Sequence, residues 1–165
     1  MHITAKVDYA VRTLVEIAHA APPPAPAGPA AAPGESAQVK AETIASAQGI
    51  PPKVLETVLA ELRRGGLVTS RRGPDGGYRL ARPAAEISVA DVIRAIEGPL
   101  ASVRGQRPED VRYAGSAEPL QRVWIALRTN IRAVLENVSI AQIARDGLPE
   151  FVGELTADPG AWSRR

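Results

Sequence analysis

The chain of 165 residues is long enough for one domain plus an accessory element, and it carries a net charge of +2 with no cysteine. That composition excludes disulfides, a thiol switch and any thiolate metal site. No apolar run reaches membrane-spanning length, and Lys6, Asp8, Arg12 and Glu16 break up the first apolar stretch, so neither a span nor a signal peptide is expected and the chain reads as cytoplasmic.

Thr4 can cap a helix running to about Ala20, with Val7, Ala10, Val11, Leu14, Ile17 and Ala18 as its apolar stripe. The next stretch, APPPAPAGPAAAPG from Ala21 to Gly34, is low-complexity sequence that cannot build a core. Residues 21–36 are expected to form an extended loop between two helices, though a proline-recognition ligand is an alternative. A short helix follows from Glu42 to Gln48 with Ile44 and Ala45 inward, and Gly49 sits in the connecting turn.

The second helix of this pair starts at Pro51-Pro52, where a missing N–H costs nothing and a fixed φ suits a helical start. From Lys53 to Arg64, Val54, Leu55, Val58, Leu59 and Leu62 share one face, while Lys53, Glu56, Thr57, Ala60 and Arg64 share the other. Gly65-Gly66 stop it. Two short helices around a glycine turn form the helix-turn-helix pattern, whose second helix enters the DNA major groove. Leu67–Arg72 and Tyr78–Ala81 then alternate at period two around Gly73-Pro74-Asp75-Gly76-Gly77, a hairpin signal. Together these make a winged helix. From Lys53 to Arg82 there are seven basic residues against three acidic ones, a local net of +4 that leaves −2 for the remainder. Such a patch suits phosphate binding; the alternative is a solvated face.

Ser88 can cap a helix from Val89 to Ile96, with Val89, Val92, Ile93 and Ile96 inward and Gly98-Pro99 ending it. Residues 99–118 are polar and irregular, a linker or effector loop. Pro119 opens a longer helix on which Leu120, Trp124, Leu127, Ile131, Val134 and Val138 recur at intervals of 4 and 3, widened by Val123 and Leu135. That is the seam of two helices buried against each other. A helix of about 20 residues spans roughly 30 Å, more than a compact winged helix needs, so a dimerisation helix is expected; intramolecular packing is the alternative. Ser139 starts a short helix, Ile140–Arg145, and the tail from Leu148 to Arg165 has one turn at Glu150–Leu155 before it frays.

The run Gly73-Pro74-Asp75-Gly76-Gly77-Tyr78-Arg79-Leu80-Ala81-Arg82, followed by Ile87-Ser88-Val89 and Val92-Ile93-Arg94-Ala95-Ile96-Glu97-Gly98, resembles the signature of the Rrf2 family. This is the bacterial regulator family of the iron–sulfur-cluster regulator, the nitric-oxide-sensing repressors and the cysteine-metabolism repressor. Ile3-Thr4 and Asp8-Tyr9-Ala10 resemble the family's first helix. The resemblance covers residues 1–98 closely and the rest in outline. It implies a dimer formed through the long helix, and DNA contacts at the positions of Lys53, Glu56, Thr57 and Arg72. Asp8 resembles a carboxylate that ligates a cluster in nitric-oxide-sensing members, but reads here as an ordinary early-helix carboxylate. Where cluster-binding members carry three close cysteines, this chain offers Ser102, Tyr113 and Ser116; no iron–sulfur cluster, other cofactor or metal is expected.

The fold expected is mainly α: a winged helix-turn-helix domain over 1–98 with a two-stranded wing, a linker over 99–118, a dimerisation region over 119–147 and a tail over 148–165. Candidate DNA contacts are Lys53, Glu56, Thr57, Arg64, Arg71, Arg72, Gly76, Gly77 and Tyr78. Glu56 is suited to accept from a cytosine amino group, and Arg71 and Arg72 to meet phosphate or the minor groove. The function expected is a homodimeric, sequence-specific repressor of a pseudo-palindromic operator; a winged-helix protein acting through a partner protein is the alternative. The effector is open. No enzymatic pattern is present: the two histidines, His2 and His19, lie near the N-terminus, the glycine loop joins strands rather than opening a helix, and Asp91 and Glu97 read as helix-surface charges.

Overall fold

A computed structural model describes residues 2–21 and 38–163. The expected Pro/Ala loop lies almost wholly outside the described residues. The described part contains helices α1 (Ala5–Ala20), α2 (Ala41–Gln48) and α3 (Pro52–Arg64), strands β1 (Val68–Arg71) and β2 (Gly77–Leu80), and helices α4 (Val89–Glu97), α5 (Leu120–Leu135), α6 (Ile140–Ala144) and α7 (Glu150–Ala157). The fold is mainly helical with one two-stranded antiparallel sheet, a winged helix-turn-helix as expected.

Helix α1 begins where Thr4 accepts the Val7 N–H. It buries Val7, Ala10, Leu14, Ile17 and Ala18 on one face, and α2, α3, α4 and α6 all lie against it. Ile44 of α2, Leu55, Leu59 and Leu62 of α3, Ile87, and Ile140 of α6 complete a core whose large side chains are fully excluded from water. Each such Leu or Ile contributes about 1.5–3 kcal/mol by leaving water. Gly49 ends α2 at φ 60°, and its N–H bonds the Ala45 carbonyl. The left-handed conformation there sets the turn that aims α3.

Several local readings change in three dimensions. Val54 was expected on the buried face of α3 but is 36% exposed, because at about 100° per residue it sits roughly a quarter turn from the centre of the Leu55, Val58, Leu59 and Leu62 stripe. In α4 the fully buried residue of the first turn is Ala90, with Val89 half-buried. Val39, which carries no strand signal, pairs with Tyr78 through two backbone hydrogen bonds of 2.8 and 2.9 Å, adding a rung beside β2. Helix α5 stops at Leu135, so it has 16 residues and spans about 24 Å. Val138, expected on its seam, lies past the helix end and is buried, its carbonyl accepting the Val89 N–H at 2.9 Å. The expected turn at Glu150–Leu155 is an eight-residue helix. A 3-10 turn, Pro159–Ala161, follows it, and the Trp162 indole donates to the Thr156 carbonyl at 2.7 Å.

Asp91 is more than a surface charge. It accepts the Ser88 N–H at 3.1 Å, completing a capping box, and also pairs with Arg82 at 3.0 Å and Arg94 at 3.6 Å. The residue after the wing is thereby tied to the start of α4. Glu97 likewise is not free, since the Thr4 hydroxyl donates to it.

The wing is held by close backbone packing. A Cβ added at Gly76 would stand 2.3 Å from the Arg71 carbonyl oxygen, and one at Gly77 would stand 2.7 Å from that of Val39. Gly76→Ala should therefore destabilise the protein by about 1–3 kcal/mol, read as a lower urea midpoint. Gly147→Ala, which meets nothing within 4 Å, should change stability by less than about 0.5 kcal/mol.

Candidate nucleic-acid interface

Burial of Leu55, Val58, Leu59 and Leu62 fixes the rotation of α3, so the opposite side of the helix faces water. Lys53, Thr57 and Arg64 are exposed along that side, with half-exposed Ala60 between them and exposed Glu56 on one flank. The Thr57 hydroxyl donates to the Lys53 carbonyl at 3.2 Å, which leaves its lone pairs outward. The small Ala60 leaves room for close approach along the stripe. Pro52 has no N–H and those of Val54 and Leu55 bond the Pro51 carbonyl, so what the exposed start of α3 presents next to Lys53 is the positive dipole end.

The wing continues this surface. Its register pairs Val68 with Leu80, Thr69 with Arg79, Ser70 with Tyr78, and Arg71 with Gly77. Arg71, Arg72 and the tip residues Gly73, Pro74 and Asp75 are exposed. Arg63 donates from the end of α3 to the Ser70 hydroxyl at 3.4 Å, and Arg79 donates to the Thr69 hydroxyl at 3.1 Å. The first contact joins α3 to the wing, and the second lies across the two strands of the wing itself. On the other side, Lys6 pairs with Glu61 at 3.2 Å and so ties α3 to α1.

The candidate residues thus fall into two groups. Lys53, Glu56, Thr57, Arg64, Arg71 and Arg72 present exposed side chains on α3 and the wing. Gly76 is buried, and Gly77 and Tyr78 are half-buried against Val39; they shape the hairpin from within. Sequence reasoning missed Val39 and the Arg63–Ser70 contact. The first has no local signal, and the second joins residues whose proximity depends on how the wing folds back.

Residues 99–118 fold back onto the start of α5. The Gln121 amide donates to the carbonyls of Pro108, Glu109 and Val111 at 3.3, 3.0 and 2.7 Å. The Trp124 indole donates to the Tyr113 hydroxyl at 3.0 Å, and Arg128 pairs with Glu109. Pro108 and Val111 are buried beneath these contacts. Among the described residues no group of three or more His, Cys, Asp or Glu side chains could hold a metal. The donors in this segment do not fit an iron–sulfur cluster: there is no thiolate, Ser102 and Ser116 are exposed hydroxyls, Tyr113 is engaged by Trp124, and Glu109 is engaged by Arg128. Asp8 forms an i,i+4 pair with Arg12 at 3.2 Å on the exposed side of α1.

The family model described as "Rrf2: Iron-dependent Transcriptional regulator" matches residues 3–146. The chain belongs to the Rrf2 family. Among sequenced relatives, Rv1287 of Mycobacterium tuberculosis H37Rv, provisionally named an HTH-type transcriptional regulator, is 46% identical over 158 residues, covering 96% of this chain and 90% of its own. The HTH-type transcriptional regulator IscR of Serratia proteamaculans is 31% identical over 147 residues, covering 88% and 80%. Among solved structures, CymR, described as the global cysteine regulator of B. subtilis, superposes with a TM-score of 0.68 at 27% identity, covering 88% of this chain and 98% of its own. An Rrf2 chain of this kind is a DNA-binding transcriptional regulator and not an enzyme. No helix among the described residues is long and apolar enough to cross a membrane.

Two carboxylates fasten α5 to the rest of the chain. Hydrogen bonds from Arg94 and then Arg132 hold Glu136 below the usual carboxylate range. A backbone hydrogen bond and then Arg128 do the same for Glu109. Both pairs contribute fully above the ordinary Glu pKa of about 4.3 and lose that contribution as the pH falls through the lower folded values. Acidification should therefore loosen α5 before the core melts. In a Trp162→Phe variant, fluorescence of Trp124 should shift below about pH 4 while far-UV dichroism still reports folded helices. Glu136→Gln should remove part of the shift.

Proposed function

We propose that the chain is a homodimeric, sequence-specific repressor that reads a pseudo-palindromic operator, and that its signal is something other than an iron–sulfur cluster. The observation carrying this reading is the continuous exposed stripe of Lys53, Thr57 and Arg64 on α3, extended by Arg71 and Arg72 on the wing. Helix side chains at the start of α3 read base edges in the major groove, with Lys53 and Thr57 foremost and Glu56 set to accept from a cytosine amino group. Arg71 and Arg72 hold phosphates or enter the minor groove beside it.

Dimerisation is supported by α5. None of its 16 residues is buried, and Val123 and Leu127 are 54% and 44% exposed. Leu120, Trp124, Ile131 and Val134 are half-buried against the chain itself, so the outermost stripe runs through Val123, Ala126, Leu127, Asn130 and Ala133. Two copies packed there would relate their α3 helices by a two-fold axis, which matches half-sites about one helical turn apart. Occupying promoter DNA blocks transcription by exclusion and requires no further part. The polar fastening of residues 99–118 by Gln121, Trp124 and Arg128 supports a signal other than a cluster, because that loop is ordered by protein side chains.

Binding to duplex fragments, followed by fluorescence anisotropy at several salt concentrations, tests the reading. Arg71→Ala and Arg72→Ala should each weaken binding to all sequences and lower the salt slope by about 1. Lys53→Ala or Thr57→Ala should instead alter base preference, by about 1–3 kcal/mol at the position each reads. Retention of no fragment at moderate salt would favour the partner-protein alternative. Visible iron–sulfur absorbance in the purified protein would overturn the cluster-free signal.

A further inference from the structure

Helix α7 shares with α5 a property that sets the two apart from the DNA-binding unit: no residue of either is buried. Leu148 and Leu155 are 49% and 58% exposed, and Phe151 and Val152 between them are half-buried. The spacing 151, 152, 155 places Phe151, Val152 and Leu155 on one side of α7, while Leu148 lies just before the helix. An eight-residue helix is not stable by itself in water, and in its own chain α7 packs mainly on the 3-10 turn that follows it, not on α5. On that side Leu155 is left open in the single chain, beside the half-buried Phe151 and Val152.

Charge identifies what fits it. Helix α5 carries Arg122, Arg128 and Arg132 and no acidic residue. From Leu148 to Ala161 the chain carries Glu150, Glu154 and Asp158, four residues apart, and no basic residue. Arg122 and the three carboxylates are exposed, and none of them forms an ion pair among the described residues. Arg128 and Arg132 already pair with Glu109 and Glu136, so the charge left for a partner is Arg122, and a helix with an apolar side and carboxylates beside it complements that end of α5. The segment also lies outside residues 3–146, the part matched by the family.

We propose that α7 of one copy docks on α5 of a second copy, as an arm that closes the dimer. Phe151 and Leu155 meet the partner's exposed Val123, one turn into α5 where two crossing helices diverge and the α5 pair leaves it open, and the carboxylates of α7 face Arg122. The inference rests on the dimer reading above and adds to it a second, chain-specific contact. Because the acidic row faces Arg122 across the interface, the arm weakens with salt even though its centre is apolar.

The absence of native cysteine makes the arm directly testable in the full-length protein. A tagged Val123→Cys chain and an untagged Leu155→Cys chain are mixed, allowed to exchange subunits, and oxidised, and the wild type is sized by sedimentation over a range of concentrations. The expected result is a mixed disulfide-linked dimer carrying one tag, together with about a tenfold rise in the dimer dissociation constant for Leu155→Asp, equivalent to roughly 1.4 kcal/mol. Leu155 is exposed in the single chain, so this change leaves folding intact. A wild-type dimer that gives no mixed species, or that is indifferent to Leu155→Asp, overturns the arm and leaves the dimer reading standing. A double variant that closes its disulfide within one chain at high dilution also overturns it. A wild type that stays monomeric at every concentration overturns both.

Discussion

Burial of one face of α1 is the constraint on which the rest of the molecule depends. Ala10, Leu14, Ile17 and Ala18 form the floor on which α2, α3, α4 and α6 rest. The alanines let neighbouring backbones approach while Leu14 and Ile17 fill the space between them. The outward face of α3 is set by this packing. Leu55, Val58, Leu59 and Leu62 must turn inward toward α1, so Lys53, Thr57 and Arg64 must turn outward. The candidate DNA surface is thus a consequence of core packing and needs no special positioning device of its own.

Polar contacts then connect this unit to its attachments. Lys6–Glu61 aligns α1 with α3, and Arg63–Ser70 aligns α3 with the wing. Asp91 with Arg82 and Arg94 joins the residue after the wing to α4, and Arg94–Glu136 carries the chain of contacts to the end of α5. Each is partly exposed and individually worth little. Their effect is geometric: they select one orientation among several that apolar packing alone would allow. Glu136, Arg94, Asp91 and Arg82 are consecutive partners along this path.

The segment between α4 and α5 shows how the same fold can order a loop without metal ligands. Three carbonyls converge on one Gln121 amide, Tyr113 is held by Trp124, and Glu109 by Arg128. All three anchoring side chains, Gln121, Trp124 and Arg128, come from the N-terminal half of α5. Helix α6, just beyond α5, is returned to the core by backbone bonds between Ile87 and Ile140 and between Val138 and Val89. The exposed length of α5 is therefore held at both ends.

Most of the DNA-binding unit was legible in the residues alone. Thr4 and Ser88 cap helices as their types suggest, the stripes of α1 and α3 follow helical periodicity, and the glycine-rich tip forms the hairpin. These features depend on near neighbours in the chain, where residue type and spacing carry the information. Exposed Lys53, Thr57, Arg71 and Arg72 could be named for the same reason. Tertiary structure alone decided that Val54 faces water, that Val39 pairs with Tyr78, that α5 ends before Val138, and that Asp91 and Glu136 are joints between elements. Each of these turns on which distant segment arrives alongside, and local periodicity holds no record of that, because a helix or strand of the same sequence could bury either flank until a partner surface is chosen.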